Sequence, residues 1–160
     1  MEPTPRLRRG GSLGGMPKRP KLICPAYGGA VFWARGIKTK VKLANFTSFK
    51  IGGPAKFFYE PGNLQSLQKV LFLAKNAGMK VFILGSGTNL LVGDSGVNGI
   101  VIRLNAGDFK GIYNKGVYLR AGSGLKLNQL ILFAEEKGLS GLEFLSGIPG
   151  TLGGALAGNA

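Results

Sequence analysis

Lys80 to Asp94, KVFILGSGTNLLVGD, constrains the fold more than any other part of the chain. Val81-Phe82-Ile83-Leu84 has the length and residue types of a buried strand. It runs straight into Gly85-Ser86-Gly87-Thr88-Asn89. Two glycines around a small hydroxyl residue let the backbone take positive φ and bring its N–H groups close to a ligand. Such a turn at a strand end can form a nest of donors for an anion, typically a phosphate. It lacks the lysine and hydroxyl residue that close a P-loop, and the third glycine of a Rossmann fingerprint. Leu90 to Gly96 has no amphipathic helix period, so the helix that either site needs is not expected there. A glycine-rich connection with no ligand is the alternative, and these residues by themselves leave both open.

At 160 residues, one domain able to bury a real core is expected. Hydrophobic residues make up 44% and glycine occurs 28 times, which fits a turn-rich α/β protein. No apolar run reaches eighteen residues, so no membrane span is expected. A single cysteine, Cys24, excludes an internal disulfide and leaves no cluster spacing for a metal. Histidine is absent, which removes imidazole acid–base chemistry and any histidyl bond to a flavin.

The formal charge of +14 is unevenly spread. Residues 1–44 hold ten Lys or Arg against Glu2, whereas residues 45–160 hold eleven against six acids. The first segment interleaves its cations with Pro and Gly without periodicity, and a disordered basic arm is expected over 1–44. A nucleic-acid tail is the sharper alternative, because clustered cations neutralise phosphates. Tyr27, Phe32 and Trp33 are too few and too clustered for a base-stacking platform, so nucleic acid is disfavoured as a partner. Pro25, Gly28 and Gly29 break the apolar stretch that a secretion signal needs, which favours a cytoplasmic location. A mis-assigned start is a third account of the arm.

The domain is expected over 45–160. Thr47 to Ile51 reads as a short strand closed by Gly52-Gly53-Pro54, and Ala55 to Glu60 as a second. Asn63 is placed to cap a helix running to Ala77, with Leu64, Leu67, Val70, Leu71 and Ala74 on one face and Gly78 as its stop. The strand at 81–84 then gives a strand–helix–strand unit and a parallel pair. Gly99 to Leu104 reads as another strand. Phe109 to Tyr113 and Val117 to Ala121 flank a hairpin turn. Leu125 to Lys137 is a second amphipathic helix, stopped by Gly138. Ser146 to Ala155 packs four glycines and a proline into ten residues. Thr151 is placed to cap a short helix whose first N–H groups would face an anion. Two glycine-rich, hydroxyl-bearing turns suit a long ligand with two anchor regions.

Three segments occur in one order and spacing: FTSFKIGGPA (46–55), ILGSGTNLLVGDSG (83–96) and GLEFLSGIPGTLGGA (141–155). Together they resemble the UDP-N-acetylmuramate dehydrogenase family, also called UDP-N-acetylenolpyruvoylglucosamine reductase, of peptidoglycan precursor synthesis. The resemblance covers residues 45–160. It implies an α+β fold of the vanillyl-alcohol-oxidase/PCMH type, with two small α/β lobes and non-covalent FAD between them. It further implies that Gly85, Ser86, Gly87, Thr88, Asn89 and Leu90 wrap the FAD diphosphate. Gly147, Ile148, Pro149, Gly150, Thr151, Gly153 and Gly154 would line the rest of the cofactor. In the family, NADPH passes a hydride to the flavin, which reduces the enolpyruvyl group of a UDP-sugar. The arginine, serine and glutamate that assist lie downstream of the motif matching Asn159-Ala160. A truncated fold without catalytic residues or substrate domain is therefore expected, with a sheet edge left uncovered. Another FAD-linked oxidoreductase of the same fold is the alternative.

Overall fold

The computed structural model describes residues 36–160. Its first lobe is a four-stranded sheet built from β1 (Lys38–Lys42), β2 (Pro54–Tyr59), β3 (Val81–Leu84) and β4 (Val97–Arg103), with α1 (Leu64–Asn76) between β2 and β3. The strand order is β1-β2-β4-β3. β4 runs parallel to both β2 and β3, while β1 is antiparallel to β2. The second lobe holds the hairpin β5 (Ile112–Lys115) and β6 (Tyr118–Ala121), then α2 (Leu127–Glu136) and α3 (Leu152–Gly158). The chain is α+β.

Successive residues of a strand point to opposite faces, and here each face of the sheet carries its own core. Phe57, Tyr59, Ile100 and Ile102 meet Val70 and Ala74 of α1 on one side. Phe58 and Val101 meet Leu43, Leu84 and Val92 on the other. Phe46 stacks on Phe58 with ring centroids 4.8 Å apart. β4 is covered on both faces, which explains its unbroken apolar run.

α1 begins where Asn63 places it. The Asn63 side chain accepts from the Ser66 amide at 2.8 Å, and the Ser66 hydroxyl accepts from the Asn63 amide at 3.3 Å. This reciprocal box satisfies two otherwise orphaned donors. Gly78, at φ +59°, ends the helix.

Several sequence expectations are revised. Residues 38–42, assigned to the basic arm, form β1 and pair with Pro54 to Phe58. Leu43 and Ala44, also assigned to the arm, open a helical turn, Leu43–Phe46, with Leu43 in the core, and residues 1–35 lie outside the described residues. Thr47 to Ile51 is a loop rather than a strand, because Lys50 takes φ +57° and the Thr47 hydroxyl donates to the Ile51 carbonyl at 2.9 Å. β2 and β3 are parallel but not neighbours, since β4 inserts between them. β3 is not a buried strand: it forms the sheet edge and leaves Val81, Phe82 and Ile83 exposed. Phe109 is the buried residue of an otherwise exposed helical turn, Gly107–Lys110, ahead of the hairpin. Among the described residues no helix is long and apolar enough to cross a membrane.

Candidate functional site

The first glycine turn leaves β3 at the buried Leu84 and is seated on the loop beneath it. The Ser48 amide donates to the Gly87 carbonyl at 3.0 Å. Gly87 has φ +67° and lies so close to the Phe46 carbonyl that a Cβ would overlap it. Only glycine satisfies both demands. Held this way, the turn leaves its own donors free: no backbone N–H from Gly85 to Leu90 donates a hydrogen bond among the described residues. Buried backbone N–H groups are nearly always paired, so the unpaired amide of buried Gly87 and those of half-buried Gly85, Ser86 and Thr88 are open to an acceptor, while Asn89 and Leu90 face water. A series of amides in a turn of this kind is a concave anion site.

The second turn is built differently. Leu127 donates to the Gly150 carbonyl at 3.1 Å, and Lys126 and Thr151 form an isolated antiparallel bridge. Thr151 is buried and caps α3 through its hydroxyl, which accepts from the Gly154 amide. The free N–H groups expected at the start of α3 are already engaged. Leu152 donates to the Leu125 carbonyl and Gly153 to the Ser123 carbonyl, both at 2.8 Å. A Cβ on Gly153 would sit 2.9 Å from Ser123, so that glycine serves packing against the residues ahead of α2. The unengaged donors therefore reside in the first turn.

The two turns meet. The Thr88 hydroxyl donates to the Pro149 carbonyl at 3.1 Å. A Cβ on Gly85 would stand 2.6 Å from the Thr151 hydroxyl oxygen, so Gly85 permits the close approach. A hollow of about 460 Å³ runs between them, lined by all of Gly85 to Leu90, by Ile148 to Thr151 and by Gly154. A second hollow of about 670 Å³ shares Ser86, Thr88 and Ile148 to Gly150 and also takes in Gly147. Gly153 lines neither of these hollows.

The second hollow brings in residues that the motif reading missed: Arg103, Asn105, Lys126 and Asn128. Arg103 ends β4, stacks on Phe46 at 4.9 Å and pairs with Glu60 at 3.1 Å. Its Nε is buried without a hydrogen-bond partner. The available signal was a lone cation closing the apolar run GIVIRL, and a lysine immediately before the second helix pattern. Among the described residues no group of three or more His, Cys, Asp or Glu could hold a metal ion. The site can grip a phosphate-bearing ligand by main-chain amides, with two cations to one side.

Comparison with known proteins points to one family. Residues 55–160 match a family model described as FAD binding domain. The chain is 40% identical to UDP-N-acetylenolpyruvoylglucosamine reductase of Clostridium novyi over 124 residues, covering 78% of this chain and 40% of that protein. It is 44% identical to UDP-N-acetylenolpyruvoylglucosamine reductase 2 of Symbiobacterium thermophilum, with the same coverage. The crystal structure of UDP-N-acetylenolpyruvylglucosamine reductase from Thermus caldophilus superposes with a TM-score of 0.63 at 38% identity, covering 75% of this chain and 41% of that one. The chain thus spans about 40% of the length of the relatives it matches.

Proposed function

The chain belongs to the FAD binding domain family, and from that premise we propose that it holds FAD non-covalently as the cofactor-holding part of a peptidoglycan-precursor reductase. The unpaired amides of Gly85 to Leu90 carry this reading. They fit the cofactor's diphosphate, which needs several donors converging from one side and no bulky side chain between them. Gly87 sets the depth of the turn, and Thr88 ties it to the Pro149 carbonyl so that both walls of the hollow hold one spacing. Asn89 and Ser86 add side-chain donors at the rim. Ile148, Pro149, Gly150, Thr151 and Gly154 form the opposing wall, with Gly147 in the adjoining hollow. Lys126 offsets the ligand's negative charge from that adjoining hollow, beside Arg103, whose charge is shared with Glu60. FAD, when bound, supplies hydride transfer, and the chain supplies binding and orientation.

On this reading the complete reaction uses NADPH as the hydride source and UDP-N-acetylglucosamine enolpyruvate as acceptor, in the cytoplasm. This chain places no catalytic side chain of its own there. The name of the relatives supports the acceptor, and no observation in these residues favours a different one.

The test is a titration of flavin fluorescence. Saturable binding of FAD, competed by ADP and not by riboflavin, is expected, because the amides recognise the diphosphate. Equal competition by riboflavin, or no FAD binding by folded protein, would overturn the assignment.

A further inference from the structure

The hairpin β5–β6 belongs to neither hollow. Its register pairs Tyr113 with Arg120 and Lys115 with Tyr118. Residues two apart on a strand, and those opposite each other, share a face. One face therefore carries two rings and two cations in a checkerboard: each tyrosine has a cation beside it along its strand and another across from it. The opposite face carries Ile112, Leu119 and Ala121, all at least half-buried. Tyr113 and Tyr118 are 65% and 77% exposed. A hollow of about 400 Å³ opens on this face and is lined by hairpin residues alone. Lys115 and Arg120 make no ion pair among the described residues.

Two large rings set mainly in water on a two-stranded ribbon add little to this lobe's core, and they offer flat apolar faces to a ligand. The two cations call for negative charge at the same spacing. Between Asn105 and Asn128 the sequence holds Lys110, Lys115, Arg120 and Lys126 against the single acid Asp108, and the whole chain carries +14. A polyanion without bases would use the cations and leave the rings idle. Successive bases linked by phosphates use both, with base–aromatic stacking and backbone neutralisation as the two contributions. We propose that the Tyr113–Lys115–Tyr118–Arg120 face binds single-stranded nucleic acid, with bases on the tyrosines and backbone phosphates on the cations.

The proposal is independent of the cofactor site, and its test uses the full chain with a fluorescently labelled ten-nucleotide oligouridylate read by anisotropy. The Tyr113→Ser/Tyr118→Ser pair leaves the charge unchanged and is expected to weaken binding about thirtyfold or more. Tyr118→Ser alone, next to the turn and therefore harmless to folding, is expected to weaken it about tenfold. The Tyr113→Phe/Tyr118→Phe pair keeps the stacking surface and should bind like the unaltered chain. The Lys115→Gln/Arg120→Gln pair should lower the slope of log affinity against log salt by about 1.4. Tyrosine-to-serine variants that fold by circular dichroism and bind normally would overturn the proposal. So would loss of all binding on deleting residues 1–35 alone, or competition by uridine monophosphate as effective as by the oligonucleotide.

Discussion

β1 borders the four-stranded sheet with Lys38, Lys40 and Lys42 exposed, whereas β3 borders it with Val81, Phe82 and Ile83 at 37%, 43% and 58% exposure. The β1 edge also carries an irregularity. Its register against β2 is unshifted, with Thr39 opposite Phe57 and Val41 opposite Ala55, but Lys40 between them takes φ +53°. Charged residues are a common device that stops an edge from pairing with another strand. β3 lacks it. Its apolar row continues into Leu90 and Leu91 and around a groove of about 460 Å³ shared with Leu43 and Val92. That is also the strand that feeds the donor-rich turn. One edge is finished for water; the other concentrates apolar surface beside the proposed cofactor site.

If that contrast is right, the β3 side should depend on its turn far more than other turns matter to their strands. Gly87 and Gly116 have nearly equal φ, +67° and +62°. A Cβ at Gly87 meets the Phe46 carbonyl, whereas at Gly116 it meets nothing within 4 Å. Gly87→Ala is therefore expected to destabilise by about 3 kcal/mol, combining backbone strain with a backbone overlap. Gly116→Ala should cost about 1 kcal/mol, from strain alone. Urea unfolding of both variants measures the difference; equal losses would show that the turn is not pinned as described. The same Gly87 variant should lose FAD binding, while Gly116→Ala keeps it.

Cofactor binding sharpens the contrast next. At a hundredfold excess over Kd, a ligand that binds only the native state adds about 2.7 kcal/mol. Hydrogen exchange should show that protection added by FAD is greatest in residues 81–90 and weakest in 38–42. Uniform protection across both edges would mean that the turn and β3 do not open as one unit.

What could be read from the sequence followed how local its cause is. Asn63 and Gly78 bracket α1 through contacts within a few residues, and both places are as expected. The two glycine turns were visible because positive φ demands glycine, and positive φ is found at Gly87, Gly147 and Gly150. Their mutual contact was not legible, since Thr88 and Pro149 lie 61 positions apart. β1 was hidden by its own protection: KTKVK reads as part of a charged arm, although its value is to be charged at an edge. The insertion of β4 between β2 and β3 leaves no trace in any single segment. The start of α3 misled for another reason. Its amides looked free in sequence, and only tertiary structure brings the Leu125 and Ser123 carbonyls to them.

The smallest expected effect is on the edges themselves. Ile83 is exposed on β3, so Ile83→Lys removes little buried surface and should change stability by less than about 1 kcal/mol. It gives β3 the guard that β1 already has, and light scattering at rising concentration should show less self-association than in the unaltered chain. The reciprocal Lys38→Val/Lys42→Val pair strips that guard from β1 and should raise association by comparable amounts. If only the β1 pair changes association, then β3 is already shielded in solution. The apolar row beside the donor-rich turn would then be a covered surface, and the contrast would describe what meets each edge rather than how each edge is made.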